Sequence, residues 1–173
     1  MVDAEYDPEE IEQPVPRTPS MEDLVELCRI LNKSNAKYLV IGGFAIISSG
    51  YLRVTQDLDF VIATDLENEA KVYAALATLP DKAVLELEPG EVSQYTVVRI
   101  NDEITVDLMA SASGIRYEEA IKDIVIREIS GIPIPFASPR LLYRMKEKTY
   151  REKDRADLLF LRTHYAEEIF GKE

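Results

Sequence analysis

The segment Gln56-Asp57-Leu58-Asp59-Phe60-Val61-Ile62 constrains the fold more than any other part of the chain. Its apolar residues are mostly β-branched or aromatic and alternate with aspartates, which predicts a strand over 57–62. Successive side chains of a strand point to opposite faces, so Asp57 and Asp59 project together while Leu58 and Phe60 turn to a core. Two carboxylates fixed side by side repel. A divalent cation removes that cost, and oxygen ligands are what magnesium prefers. Asp107 repeats the pattern in Ile104 to Met109, where Val106 and Leu108 face one way and Asp107 the other. If that strand lies beside 57–62, three carboxylates converge on one edge of a sheet. Asp-x-Asp by itself is common at surface strand ends. Three scattered surface charges, however, would not all sit on strands whose apolar neighbours face the opposite way.

A second feature precedes the pair. Lys37 to Ile41 reads as a short buried strand, stopped by Gly42-Gly43 and followed by a helical stretch from Phe44 to Ser49. Glycines let the backbone turn sharply and let a phosphate approach peptide N–H groups at a helix start. A plain strand-to-helix turn would look the same. No Gly-Lys-Ser/Thr follows, so this is not a Walker loop, and the G-x-G-x-x-G spacing of a dinucleotide site is missing.

The remaining pattern is mixed α/β. Residues 1–19, acidic and holding Pro8, Pro14, Pro16 and Pro19, read as a disordered tail. Ser20 with Asp23 reads as the start of a helix carrying Leu24, Leu27, Cys28 and Leu31, and a further helix is expected over 65–79. Strands at 95–100 and 103–108 are expected to meet at a two-residue turn, Asn101-Asp102. A short helix near 117–122 and a strand near 124–129 come next, then a Pro-rich stretch from Ile132 to Pro135. Ser138-Pro139 opens a basic helix, and a last helix starts near Lys153. The expected organisation is a core over 20–137 with C-terminal helices over 138–173 packed on it, as a single domain. No internal repeat and no apolar run of membrane-spanning length is present. One cysteine and one histidine make tetrahedral zinc a poor fit, while the lone Cys28, which has no disulfide partner within the chain, and the absence of a secretory signal suit a cytoplasmic location.

Taken together, Gly42-Gly43-Phe44-Ala45, Gly50-Tyr51-Leu52-Arg53-Val54-Thr55 and Asp57-Leu58-Asp59-Phe60 resemble the minimal, polymerase β-like nucleotidyltransferase superfamily. The resemblance is closest to its small bacterial branch of AbiEii-like and uncharacterised nucleotidyltransferase domains. Val106-Asp107-Leu108 matches the later acidic strand of that family, and Lys146 with Lys153-Asp154-x-x-Asp157 matches its C-terminal helices. The similarity spans about residues 36–162. It implies an α+β nucleotidyltransferase fold, a mixed central sheet flanked by helices, with a short C-terminal helical section.

By this resemblance Asp57, Asp59 and Asp107 are the catalytic and metal-binding residues, holding two Mg²⁺ ions or Mn²⁺ in their place. Gly42, Gly43, Arg53 and Lys146 would bind the nucleotide, Arg53 or Lys146 neutralising pyrophosphate unless Arg53 is instead a structural partner of an aspartate. Lys153, Asp154 and Asp157 either join that site or stitch the last two helices together, the latter favoured for Asp157. The implied reaction moves a nucleoside monophosphate from an NTP to a hydroxyl on a small molecule, a protein or an RNA. The resemblance also allows a toxin role with an antitoxin partner and, separately, a homodimer whose second subunit completes the acceptor pocket. The short section after Ser138 leaves little protein to shape an acceptor pocket, which keeps a non-catalytic nucleotide- or partner-binding module as the alternative.

Charge bears on the partner. The net charge is −12, with nine acids against Arg17 alone in residues 1–26. Bulk nucleic-acid binding is therefore disfavoured. Residues 140–155 reverse the sign, with seven basic residues against three acids. That segment suits either an anionic ligand or a solvated helix face of alternating charge.

Overall fold

The computed structural model describes residues 15–172, so the tail expected at 1–19 falls outside it up to residue 14. The chain is anchored from Arg17, whose backbone N–H donates to the Glu103 carbonyl at 2.8 Å and whose guanidinium pairs with Asp23 at 2.8 Å. Ser20 and Asp23 form a reciprocal capping box that opens α1 (Met21–Lys33). The helix buries Leu24, Leu27, Cys28 and Leu31.

Next come β1 (Tyr38–Ile41), α2 (Gly42–Ser48), β2 (Asp57–Ile62), α3 (Leu66–Leu76), β3 (Val98–Asn101) and β4 (Thr105–Met109). A small hairpin of β5 (Ser111–Ala112) and β6 (Ile115–Arg116) precedes α4 (Tyr117–Ala120), β7 (Ile124–Ile129) and β8 (Ile132–Ala137). The chain closes with α5 (Pro139–Lys146) and α6 (Glu152–Phe170). Six strands form one mixed sheet in the order β3-β4-β2-β1-β8-β7. β2 and β4 run parallel, whereas β1–β2, β3–β4 and β7–β8 are antiparallel. The expected α+β architecture of a mixed sheet flanked by helices is what the chain forms.

One expectation needs correction. The β3–β4 turn is not the two residues Asn101-Asp102. Asn101 pairs with Thr105, so the loop is Asp102, Glu103 and Ile104. The buried Asp102 carboxylate accepts from the backbone N–H groups of Asp81, Ala83 and Glu103, which fixes the longer loop. The Pro-rich stretch from Ile132 to Pro135 lies within β8. β8 meets β1 at Val40–Phe136, beyond Pro133 and Pro135, so both prolines lie where β8 has a ladder on one side only.

The C-terminal helices are tied to the β5–β6 hairpin and to the loop after α2 by specific contacts. Ser113 Oγ donates to the Met145 carbonyl at 2.6 Å, and Tyr51 stacks on Phe160 with ring centroids 5.1 Å apart. No described helix is long and apolar enough to cross a membrane.

Candidate active site

Three neighbouring strands carry the site. In their registers Ile41 lies opposite Asp59, and Asp59 lies beside Asp107. The parallel β2–β4 pairing therefore sets the aspartates of the two strands on one face, as alternation from Leu58, Phe60, Val106 and Leu108 requires. One carboxylate oxygen from each of Asp57, Asp59 and Asp107 lies within 4.8 Å of the others. The set is acceptor-only, close-packed and oxygen-based, which fits a hard divalent cation.

The electrostatic cost of this packing shows in Asp59. Burial, then repulsion from Asp57 and Asp107, pushes its carboxyl up to about 8, while Lys153 and Lys146 oppose the rise. Asp107 is itself buried. The charges of Asp57 and Asp107 are met by Arg99, which the sequence reading did not single out. Its guanidinium donates to both oxygens of Asp107 at 2.9 and 2.8 Å and to Asp57 at 3.0 Å.

The glycines close the site from the other side. Gly42 follows β1 directly and sits at φ +66°, where a Cβ would overlap the Asp59 carboxylate. A Cβ on Gly43 would meet the Thr55 side chain, with the Thr55 Cβ at 2.6 Å and an Arg53 guanidinium nitrogen at 3.3 Å. Backbone and carboxylate thus approach as closely as a side-chain-free residue allows.

The three aspartates, both glycines, Arg53, Arg99 and Lys146 all line one cavity of about 470 Å³. Thr96, Val97, Met109, Ser111, Leu142 and Met145 line it too, as do Thr149, Arg151 and Lys153. The cations differ in what holds them. Arg53 is clamped by both oxygens of the buried Asp157 at 2.9 and 3.0 Å. Lys146 is 6% exposed and reaches Asp154 at 3.0 Å and Asp157 at 3.1 Å. Asp154 and Asp157 therefore stitch α5, α6 and the loop before β2 together. Lys153 forms no ion pair among the described residues.

A family described as nucleotidyl transferase of unknown function (DUF2204) matches residues 20–170. The chain belongs to that family. It is a nucleotidyltransferase of the minimal superfamily, and the matched span includes every residue of the cavity described above.

Solved structures share the fold at low identity. A Thermotoga maritima protein described as a nucleotidyltransferase aligns with a TM-score of 0.55 and 16% identity, over 86% of this chain and 89% of that one. The lincosamide antibiotic adenylyltransferase LnuA, solved with lincomycin bound, aligns at 0.55 and 13%, over 85% and 99%. ANT(2″)-Ia, solved in complex with adenylyl-2″-tobramycin, aligns at 0.50 and 14%, over 84% and 90%. No curated protein matches the chain by sequence.

Proposed function

We propose that this nucleotidyltransferase moves a nucleoside monophosphate from an NTP to a hydroxyl acceptor, with Asp57, Asp59 and Asp107 holding Mg²⁺. The observation that carries the reading is the convergence of these three carboxylates, within 4.8 Å, against the backbone of Gly42. Two divalent ions bound there would polarise the α-phosphate and offset the charge of the attacking and leaving oxygens.

The chain's own groups have distinct tasks. The Gly42-Gly43 backbone lines the cavity beside the carboxylates, where its turn would receive the phosphates. Asp107, innermost of the three, accepts the proton of the acceptor hydroxyl as its oxygen bonds to the α-phosphorus and the bond to the bridging oxygen breaks. Pyrophosphate leaves with the electron pair of that bond. Its charge falls on Lys153, a cavity cation without a carboxylate partner among the described residues, and on Arg53 and Lys146. Thr96, Val97, Met109, Ser111, Leu142 and Met145 offer the cavity hydroxyl and apolar surface against which base and acceptor would pack. Catalysis is then mainly positioning and charge neutralisation.

The test is pyrophosphate release from each of the four common NTPs with Mg²⁺, across a panel of hydroxyl acceptors, for wild type and Asp59→Asn. The reading expects metal-dependent release from the wild type alone. Equal release by Asp59→Asn would overturn it.

A further inference from the structure

Arg99 stands out among the charged groups because it touches two members of the acidic cluster at once. It sits on the edge strand β3, directly across the ladder from Asp107. Its side chain is 56% exposed, yet three hydrogen bonds of 2.8–3.0 Å fix the guanidinium on Asp107 and Asp57. Those are oxygens of the very carboxylates whose convergence defines the metal site. The guanidinium already occupies both oxygens of Asp107 and one of Asp57, so a divalent cation drawing on the same carboxylates competes with it for those oxygens and for their charge.

We propose that Arg99 is a resident counter-ion of the acidic cluster: it holds Asp57 and Asp107 in place in the metal-free protein and is displaced when divalent cation binds. The inference rests on the metal-site reading above and goes beyond it by naming the group the metal must evict. Without Arg99, Asp57 and Asp107 would face each other and Asp59 with no neutralising group in contact, and repulsion would spread them. With Arg99 in place, the cluster keeps its geometry but metal affinity is lowered by the cost of breaking a bidentate pair. Exposure of the guanidinium to the cavity gives it solvent to move into, so displacement needs no rearrangement of the sheet.

This makes Arg99 a positioning residue rather than a catalytic one, and its signature is opposite to that of a ligand. Removing a ligand weakens metal binding, whereas removing a competing counter-ion strengthens it. Free Mn²⁺ measured by electron paramagnetic resonance during titration of the nucleotide-free protein reads this directly. Arg99→Gln should bind Mn²⁺ about tenfold or more tightly than wild type, the scale of charged hydrogen bonds no longer competing. Its metal-free melting temperature should fall below that of wild type, and saturating Mn²⁺ should close the gap. Arg99→Lys, which keeps the charge but loses the fork, should lie between the two in Mn²⁺ affinity. Unchanged or weaker Mn²⁺ binding by both variants overturns the proposal.

Asp57→Asn/Asp59→Asn separates this failure from failure of the underlying reading. If wild-type Mn²⁺ binding survives that double substitution, the metal site is elsewhere. If it is lost while Arg99→Gln binds no tighter, only the counter-ion role falls.

Discussion

Gly42 and Asp59 occupy adjoining space so tightly that the Asp59 carboxylate lies where a Gly42 Cβ would be. Two independent constraints meet at this glycine, because its φ of +66° is itself a conformation that side chains resist. Gly42→Ala is expected to cost about 1–2 kcal/mol from the backbone alone. It should also push Asp59 away from Asp57 and Asp107. Thermal melts and Mn²⁺ titration should show both losses. Retention of wild-type Mn²⁺ affinity in a folded Gly42→Ala protein would mean that Asp59 does not need this contact.

Ionised Asp59 costs the folded chain stability. Its carboxyl, raised to about 8 by burial and by Asp57 and Asp107, is protonated more readily in the folded chain than in the unfolded one. Its contribution to stability is therefore present below about pH 4 and is lost as pH rises through about 8. Asp59→Asn removes the ionisation. Without divalent cation it should melt several degrees above wild type at pH 8.5, with little difference at pH 4. Equal melting temperatures at the higher pH would show that the carboxylate is not strained.

Asp154 behaves in the opposite sense. Burial acts to raise its carboxyl, but hydrogen bonds from Thr149, Lys146 and Arg151 win and hold it at about 2. It contributes stability above the ordinary carboxylate range that disappears as pH falls from about 4 to about 2, worth about 2 kcal/mol at neutral pH. Denaturant unfolding at a series of pH values should show that acid-side slope in wild type and a flatter one in Asp154→Asn.

The two cavity lysines should divide into structure and substrate binding. Lys146→Ala leaves Asp154 and Asp157 buried without their shared cation and should destabilise by about 3 kcal/mol or more. Lys153→Ala touches no ion pair among the described residues. It should melt like wild type while raising KM for the nucleotide several-fold. A large loss of stability in Lys153→Ala would reverse the assignment.

Much of this site is legible in the sequence because strand alternation is a local rule. The run from Asp57 to Ile62 is β2 from end to end, and Asp107 faces the same side for the same reason. Arg99 was not legible, and the cause is one hairpin. A two-residue turn at Asn101-Asp102 would pair Arg99 with Ile104, whereas the three-residue loop pairs it with Asp107. What selects that loop is Asp102 capping Asp81 and Ala83, a contact across some twenty residues that no local pattern reveals. β8 was hidden in a similar way. Two prolines argue against a strand unless it is known that the ladder on one side begins only at Phe136. Lys146 lies on the apolar side of α5 with Leu142 and Met145, so its burial could be anticipated, but its pairing with Asp154 and Asp157 depends on how α5 and α6 pack.

The central claim is that the carboxylates of Asp57 and Asp59 carry a metal that carries the nucleotide. Isothermal titration calorimetry with ATP, GTP, CTP and UTP, with and without Mg²⁺, tests it on wild type and Asp57→Ala/Asp59→Ala. At least one nucleotide should bind the wild type only when Mg²⁺ is present, and the double variant should bind none. Nucleotide binding that is independent of Mg²⁺, or unaffected by the double substitution, would contradict the account.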